Sequence, residues 1–126
     1  HFSARVGVML TLPPSVRIFI YSEFVDMRCG FNRLSMFAEC IMQKDPYSGH
    51  LFVFFNKYGD KCKILFWDRT GFCIWYKRLE KGTFEKLTVS GNSRSIEVGI
   101  SELSLILEGI DLSRVKRRKR YIHKTA

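Results

Sequence analysis

The chain has 126 residues, 46% of them hydrophobic, and carries a formal net charge of +9. That length buries one ordinary core and is too short for two comfortable domains. Its apolar runs fall far short of the roughly 20 residues a membrane helix needs, and the N-terminal stretch lacks the basic region and sustained apolar run of a signal peptide.

Met9, in VMLTLPPSV, reads as a native start, so residues 1–8 are expected to be an expression remnant or upstream translation. Pro13-Pro14 precedes an apolar run over residues 16–21 that predicts a first strand. Asp26 sits where a helix N-cap belongs, and Met27, Phe31, Leu34, Ala38 and Ile41 recur at three- and four-residue spacing until Asp45-Pro46 stops the pattern. The expectation is an amphipathic helix of about four turns at 3.6 residues per turn, its stripe a lid over an apolar sheet face. Arg28 and Arg33 project from its early part, either into solvent or toward phosphates.

Residues 49–84 hold three aromatic-rich segments, 51–55, 62–67 and 72–77, separated by the turn signals Asn56-Lys57-Tyr58-Gly59-Asp60 and Asp68-Arg69-Thr70-Gly71. An antiparallel meander is the economical reading. If residues 56 and 61 face each other, and 67 and 72 likewise, strict alternation sorts the side chains into two faces. Leu51, Val53, Phe55, Cys62, Ile64, Phe66, Cys73 and Trp75 make an apolar face, with Lys77 at its end. His50, Phe52, Phe54, Asn56, Lys61, Lys63, Leu65, Trp67, Phe72, Ile74, Tyr76 and Arg78 make a face that mixes rings with cations. Two readings of that second face stand open. Bases stack on rings while cations meet phosphates, so it suits nucleic acid, with Lys61, Lys63, Trp67, Tyr76 and Arg78 as contacts; or a second helix or a partner subunit covers the rings and the lysines fringe the sheet.

Beyond Phe84 the chain turns polar, with Ser90-Gly91-Asn92-Ser93 as a loop or hairpin tip. Ile96, Val98 and Ile100 alternate like a short strand. Ser101 then caps a second helix bearing Leu103, Ile106, Leu107 and Ile110, with Gly109 near its end. From residue 113 onward there are seven basic side chains, Arg114, Lys116, Arg117, Arg118, Lys119, Arg120 and Lys124, and no acids. The other residues hold 14 basic and 12 acidic side chains, so the body is nearly neutral. A block of like charges cannot bury, which predicts a flexible tail over 113–126 behind a single domain over 9–112. Its natural partner is a polyanion, bound strongly at low salt and with little reading of sequence.

The expected architecture is therefore α+β: a small antiparallel sheet, a meander of about three strands with flanking short ones, packed on one amphipathic helix, with a second short helix and a basic tail. Cys29, Cys40, Cys62 and Cys73 form no C-x-x-C pair and read as free, mostly buried thiols in a reducing cytoplasm. His1, His50 and His123 lie far apart, so neither a metal site nor a cofactor is expected. Asp26, Asp60, Asp68 and Asp111 are explained as turn and cap residues and do not read as the converging carboxylates of a two-metal strand-transfer site. Neither a nucleophile–base arrangement, a phosphate loop followed by Lys, nor HExxH is present. The reading is noncatalytic.

The strings PYSGHLFVFFN, GDKCKILFWD and GFCIWYKRLEKGTF, with VDMRCGFNRL at 25–34 and ELSLILEGIDL at 102–112, resemble the TnpB-type accessory protein of the bacterial insertion-sequence 66 family. The likeness runs from Met9 to Tyr121. It implies a small cytoplasmic, nucleoid-associated bacterial protein, encoded beside a transposase and needed for, or assisting, transposition, with no established chemistry of its own. The family pattern tends to a basic residue where this chain has Cys29 and an Arg where it has Phe55, so neither position is assigned a phosphate contact. Two functions follow. The chain binds DNA, expected at the element's ends, through the tail and the mixed face. Alternatively it is an adaptor that joins the transposase through exposed apolar surface, Trp67, Phe72 and Phe52 or the second helix, with self-association open to the same surface.

Overall fold

A computed structural model of the chain describes residues 13–87 and 91–110. Five strands and two helices follow one another as β1 (Ile18–Tyr21), α1 (Phe31–Met36, running on into a π-helical turn Phe37–Ile41), β2 (Leu51–Phe55), β3 (Lys61–Asp68), β4 (Gly71–Arg78), β5 (Ser95–Val98) and α2 (Ile100–Glu108). The strands form one sheet in the order β4-β3-β2-β1-β5. The architecture is α+β, as expected. The expected basic tail lies outside the described residues, as do residues 1–8.

The meander holds in the predicted register. Phe55 faces Cys62 in the β2–β3 pair, and Trp67 faces Phe72 and Asp68 faces Gly71 in the β3–β4 pair. Between them Arg69 takes the positive φ of 46° that the two-residue turn demands. β1 departs from an all-antiparallel sheet by pairing parallel with β2, Ile18 facing Leu51. The long connection carrying α1 brings the chain back to the starting end of the sheet, and such a return makes neighbours parallel. β5 closes the other edge antiparallel to β1.

The two helices cover opposite faces of the sheet. Leu51, Val53, Cys62, Ile64 and Trp75 pack with Leu103, Ile106 and Leu107 of α2. Phe52, Phe54 and Leu65, on the face expected to mix rings with cations, are fully buried with Leu34 and Ala38 of α1. The first helix is thus not the lid over the apolar face; α2 is. Burying a side chain of this kind stabilises the fold by about 1.5–3 kcal/mol, so two phenylalanines and a leucine in mid-sheet recruit their own helix.

Other expectations shift locally. α1 begins at Phe31 after an N-cap Gly30 that makes no side-chain capping bond, not after Asp26. Asp26 instead accepts from the Arg28 backbone N–H at 2.8 Å and pairs with its guanidinium, which is turn chemistry competing with helix. The helical stretch is accordingly shorter than four turns, and Phe31 stays half exposed. α2 starts after Gly99, whose N–H donates to the Glu102 carboxylate at 3.2 Å, so Ser101 lies inside the first turn and Ile100 is helical rather than extended. Cys62 alone of the four free thiols is fully buried; Cys29 and Cys73 are half-buried and Cys40 is exposed. Desolvation raises the Cys62 thiol far above its ordinary pKa, which leaves it inert as a nucleophile.

Candidate nucleic-acid interface

The ends of β1, β2 and β4 and the starts of β3 and β5 lie together, and two connections finish that end of the sheet. The first, residues 22–30, is fastened at three points. The Ser22 N–H donates to the Arg94 carbonyl at 3.0 Å, the Val25 N–H donates to the Phe55 carbonyl at 2.9 Å, and the Lys63 ammonium donates to the carbonyls of Met27 and Cys29 at 2.7 and 2.8 Å. The second is the β2–β3 turn. There the side chain of Asn56, itself buried, accepts from the N–H groups of Asp60 and Lys61 and donates to the Asp60 carboxylate, while Gly59 supplies a φ of 75°. A turn tied from within holds its tip still, and the tip residue is Tyr58.

Between these connections and β4 lies a groove of about 600 Å³ lined by Phe24, Val25, Asp26, Met27, Arg28, Asn56, Lys57, Tyr58, Lys61 and Tyr76. Three of its rings face water: Tyr58 is 84% exposed, Phe24 50% and Tyr76 46%. Tyr58 stands almost clear of the body, and with Phe24 and Tyr76 about half exposed beside it the groove gathers three solvent-facing rings in one place. Arg28, Lys57 and Lys61 stand among them, against a single acid, Asp26. The Arg28 guanidinium, by hydrogen-bonding and by charge, holds the Asp26 carboxyl down at about pKa 2, so this acid stays ionised and paired at neutral pH. Two further ammonium groups lean on the rings, Lys63 at 4.9 Å from the Tyr76 centroid and Lys86 at 5.2 Å from that of Phe24. A neighbouring groove shares Asp26 and Arg28 and continues past Phe31, 49% exposed, to Arg33.

The sequence-derived contacts divide. Lys61, Tyr76 and Arg78 come to this end of the sheet on one face, Lys61 directly opposite Arg78, whose guanidinium meets Glu80 at 3.0 Å. Lys63 shares the face but is buried, its ammonium spent on two carbonyls; it is a structural cation and not a surface one. Trp67 lies six residues along β3, about 20 Å away at the usual rise per residue, packed with Tyr47 and Phe72. The aromatic patch suggested for an adaptor also changes: Phe52 is in the core and Phe72 is half-buried under Tyr47. Arg114, Lys116, Arg117, Arg118, Lys119 and Arg120 fall outside the described residues. Sequence reasoning missed Phe24, Lys57 and Tyr58. The available signal was a tyrosine and a lysine in the middle of a tight turn, where side chains point away from the sheet.

Among the described residues no three His, Cys, Asp or Glu side chains gather as metal ligands, and no helix is long and apolar enough to cross a membrane. What the fold and the groove define is a small α+β domain, a sheet with a helix on each face and a basic, aromatic end. The chain belongs to the family described as IS66 Orf2 like protein, which it matches over residues 16–117, and this associates it with the transposition of insertion elements. Two uncharacterized proteins of Sinorhizobium fredii are similar to it: y4hO, 35% identical over 82% of this chain and 88% of its own length, and y4jC, 34% identical over 82% and 86%. No solved structure matches the chain significantly.

Proposed function

We propose that the chain is a noncatalytic accessory protein of insertion-element transposition that binds DNA. The basic tail, Arg114 and Lys116 to Arg120, supplies charge attraction, and the groove at the sheet end supplies a second contact through Lys57, Lys61 and the rings. The observation that carries this reading is the groove itself, where three exposed rings sit among three cations and one paired acid. The tail adds seven positive charges just past the folded body. The partner implied is DNA at the element's ends, with the element's transposase acting on the same DNA.

The test is fluorescence anisotropy of the full chain on the element's terminal inverted repeat and on a shuffled duplex across a salt series. A tail that meets about six phosphates gives a log-log salt slope of roughly −5. Replacing the seven tail cations by Ala should remove most of the affinity for both duplexes. Unchanged binding by that variant would sink the tail's role, and a preference for the terminal repeat that survives it would assign recognition to the folded body.

A further inference from the structure

We infer that the groove at the sheet end takes unpaired DNA, with bases stacked on Tyr58, Tyr76 and Phe24 and the backbone phosphates on Lys57 and Lys61. This rests on the DNA-binding reading above and names the form of DNA the groove accepts. In a duplex the π-faces of the bases are already covered by their neighbours, so projecting rings gain nothing from it beyond ordinary contact. In a single strand each base offers a free face, and a ring beside a cation takes the base and its phosphate together.

The arrangement here fits that division of labour. Tyr58 stands at the tip of a turn locked by the Asn56 side chain, so the backbone that carries its ring is already ordered before binding. Tyr76 and Phe24 flank it on two other elements, one on the edge strand and one on the connection that Lys63 pins. The adjoining groove, reached past Arg28, repeats the pattern with Phe31 and Arg33, which gives a strand somewhere to continue. An apolar protein segment would suit the rings but would leave Lys57 and Lys61 unmatched, and the groove's one acid is already held by Arg28. Charge therefore favours a polyanion. Asn56, the groove's one side-chain amide, is occupied in its own turn, and a ring stacks on any base, which points to binding tolerant of base sequence.

The test uses the full chain and two labelled probes at one fixed salt concentration, a single-stranded oligothymidylate of about 15 nucleotides, near the upper end of site sizes for such grooves, and a duplex of the same length. The tail acts on both, so the ratio of affinities isolates the groove. Tyr58→Ala and Tyr76→Ala should each weaken the single strand by about fivefold or more while changing the duplex less than twofold, and Tyr58→Phe should keep the wild-type ratio because the ring remains. Equal losses on both probes, or none on the single strand, would overturn the inference while leaving DNA binding in place. If the wild-type chain binds neither probe, the DNA-binding reading itself fails. An oligouridylate held more than tenfold more tightly than the oligothymidylate would reassign the groove to RNA and overturn the proposal.

Discussion

Lys61 and Lys63 stand two residues apart on one strand and point to one face, yet they do different work. The Lys63 ammonium donates to the carbonyls of Met27 and Cys29 and is nearly covered, while Lys61 opens onto the groove opposite Arg78. Removing a charged donor from two carbonyls it satisfies costs the hydrogen bonds and leaves the acceptors short of partners. Lys63→Met keeps the aliphatic stem and should destabilise the protein by about 2–3 kcal/mol, read as a lower urea midpoint. Lys61→Ala should stay within about 0.5 kcal/mol of wild type but should flatten the salt slope of DNA binding by about one. Equal stabilities for the two variants would refute the division. Alternation in the sequence put both lysines on the correct face. It did not tell them apart, because what covers Lys63 is the path of residues 26–30, and that path depends on Asp26 making a turn with Arg28 where a helix cap was the simpler expectation.

Among elements, α2 is fastened at its far end by a glycine that no other residue replaces without strain. Gly109 has a φ of 80°, and a Cβ built there would lie 2.7 Å from the Leu79 Cδ1 and 3.4 Å from the Thr83 carbonyl. Its conformation turns the chain so that Ile110 and Thr83 exchange backbone hydrogen bonds at 2.7 and 3.1 Å, tying the helix end to the connection after β4. Gly109→Ala should destabilise by more than about 1 kcal/mol, since the positive φ is one that alanine adopts poorly, and thermal unfolding followed by circular dichroism measures it. A melting temperature equal to wild type would mean the turn relaxes freely. Gly109 was legible as a helix end, and the register of the β2–β3–β4 meander was legible from its two turns and side-chain alternation, whereas the pairings of β1 were not. The assignment of helices to faces was not. LFVFF in β2 is a run of five apolar residues, the pattern of a strand buried on both sides, and it outweighs the lysines that share a face with Phe52 and Phe54. Those lysines lie toward the start of β3, so the same face is core in the middle and polar at its margin.

For the molecule as a whole, the exposed ion pairs tie stability to acid pH with a definite sign. Arg17 reaches from the approach to β1 across to Glu97 on the edge strand β5, at 2.7 Å, and the hydrogen bond from its guanidinium lowers the Glu97 carboxyl below its usual range. Asp26, held by Arg28, lies at about 2. Both carboxyls bind protons less readily folded than unfolded, where Asp titrates near ~3.9 and Glu near ~4.3. Their contribution is therefore complete above those unfolded values and is lost as pH falls through the folded ones. Protonation also removes negative charge from a chain already at +9, so self-repulsion grows in the same window. The melting temperature of the wild-type protein should fall between about pH 4.5 and pH 2, the interval these unfolded and folded values bracket. The Asp26→Asn, Glu97→Gln double variant should begin lower at neutral pH and decline less steeply over that interval, because the groups that drive the loss are gone. An identical decline in both proteins would place the acid sensitivity in general charge repulsion instead, and the two pairs would then bear on local geometry, the entry to β1 and the rim of the groove, rather than on the stability of the sheet.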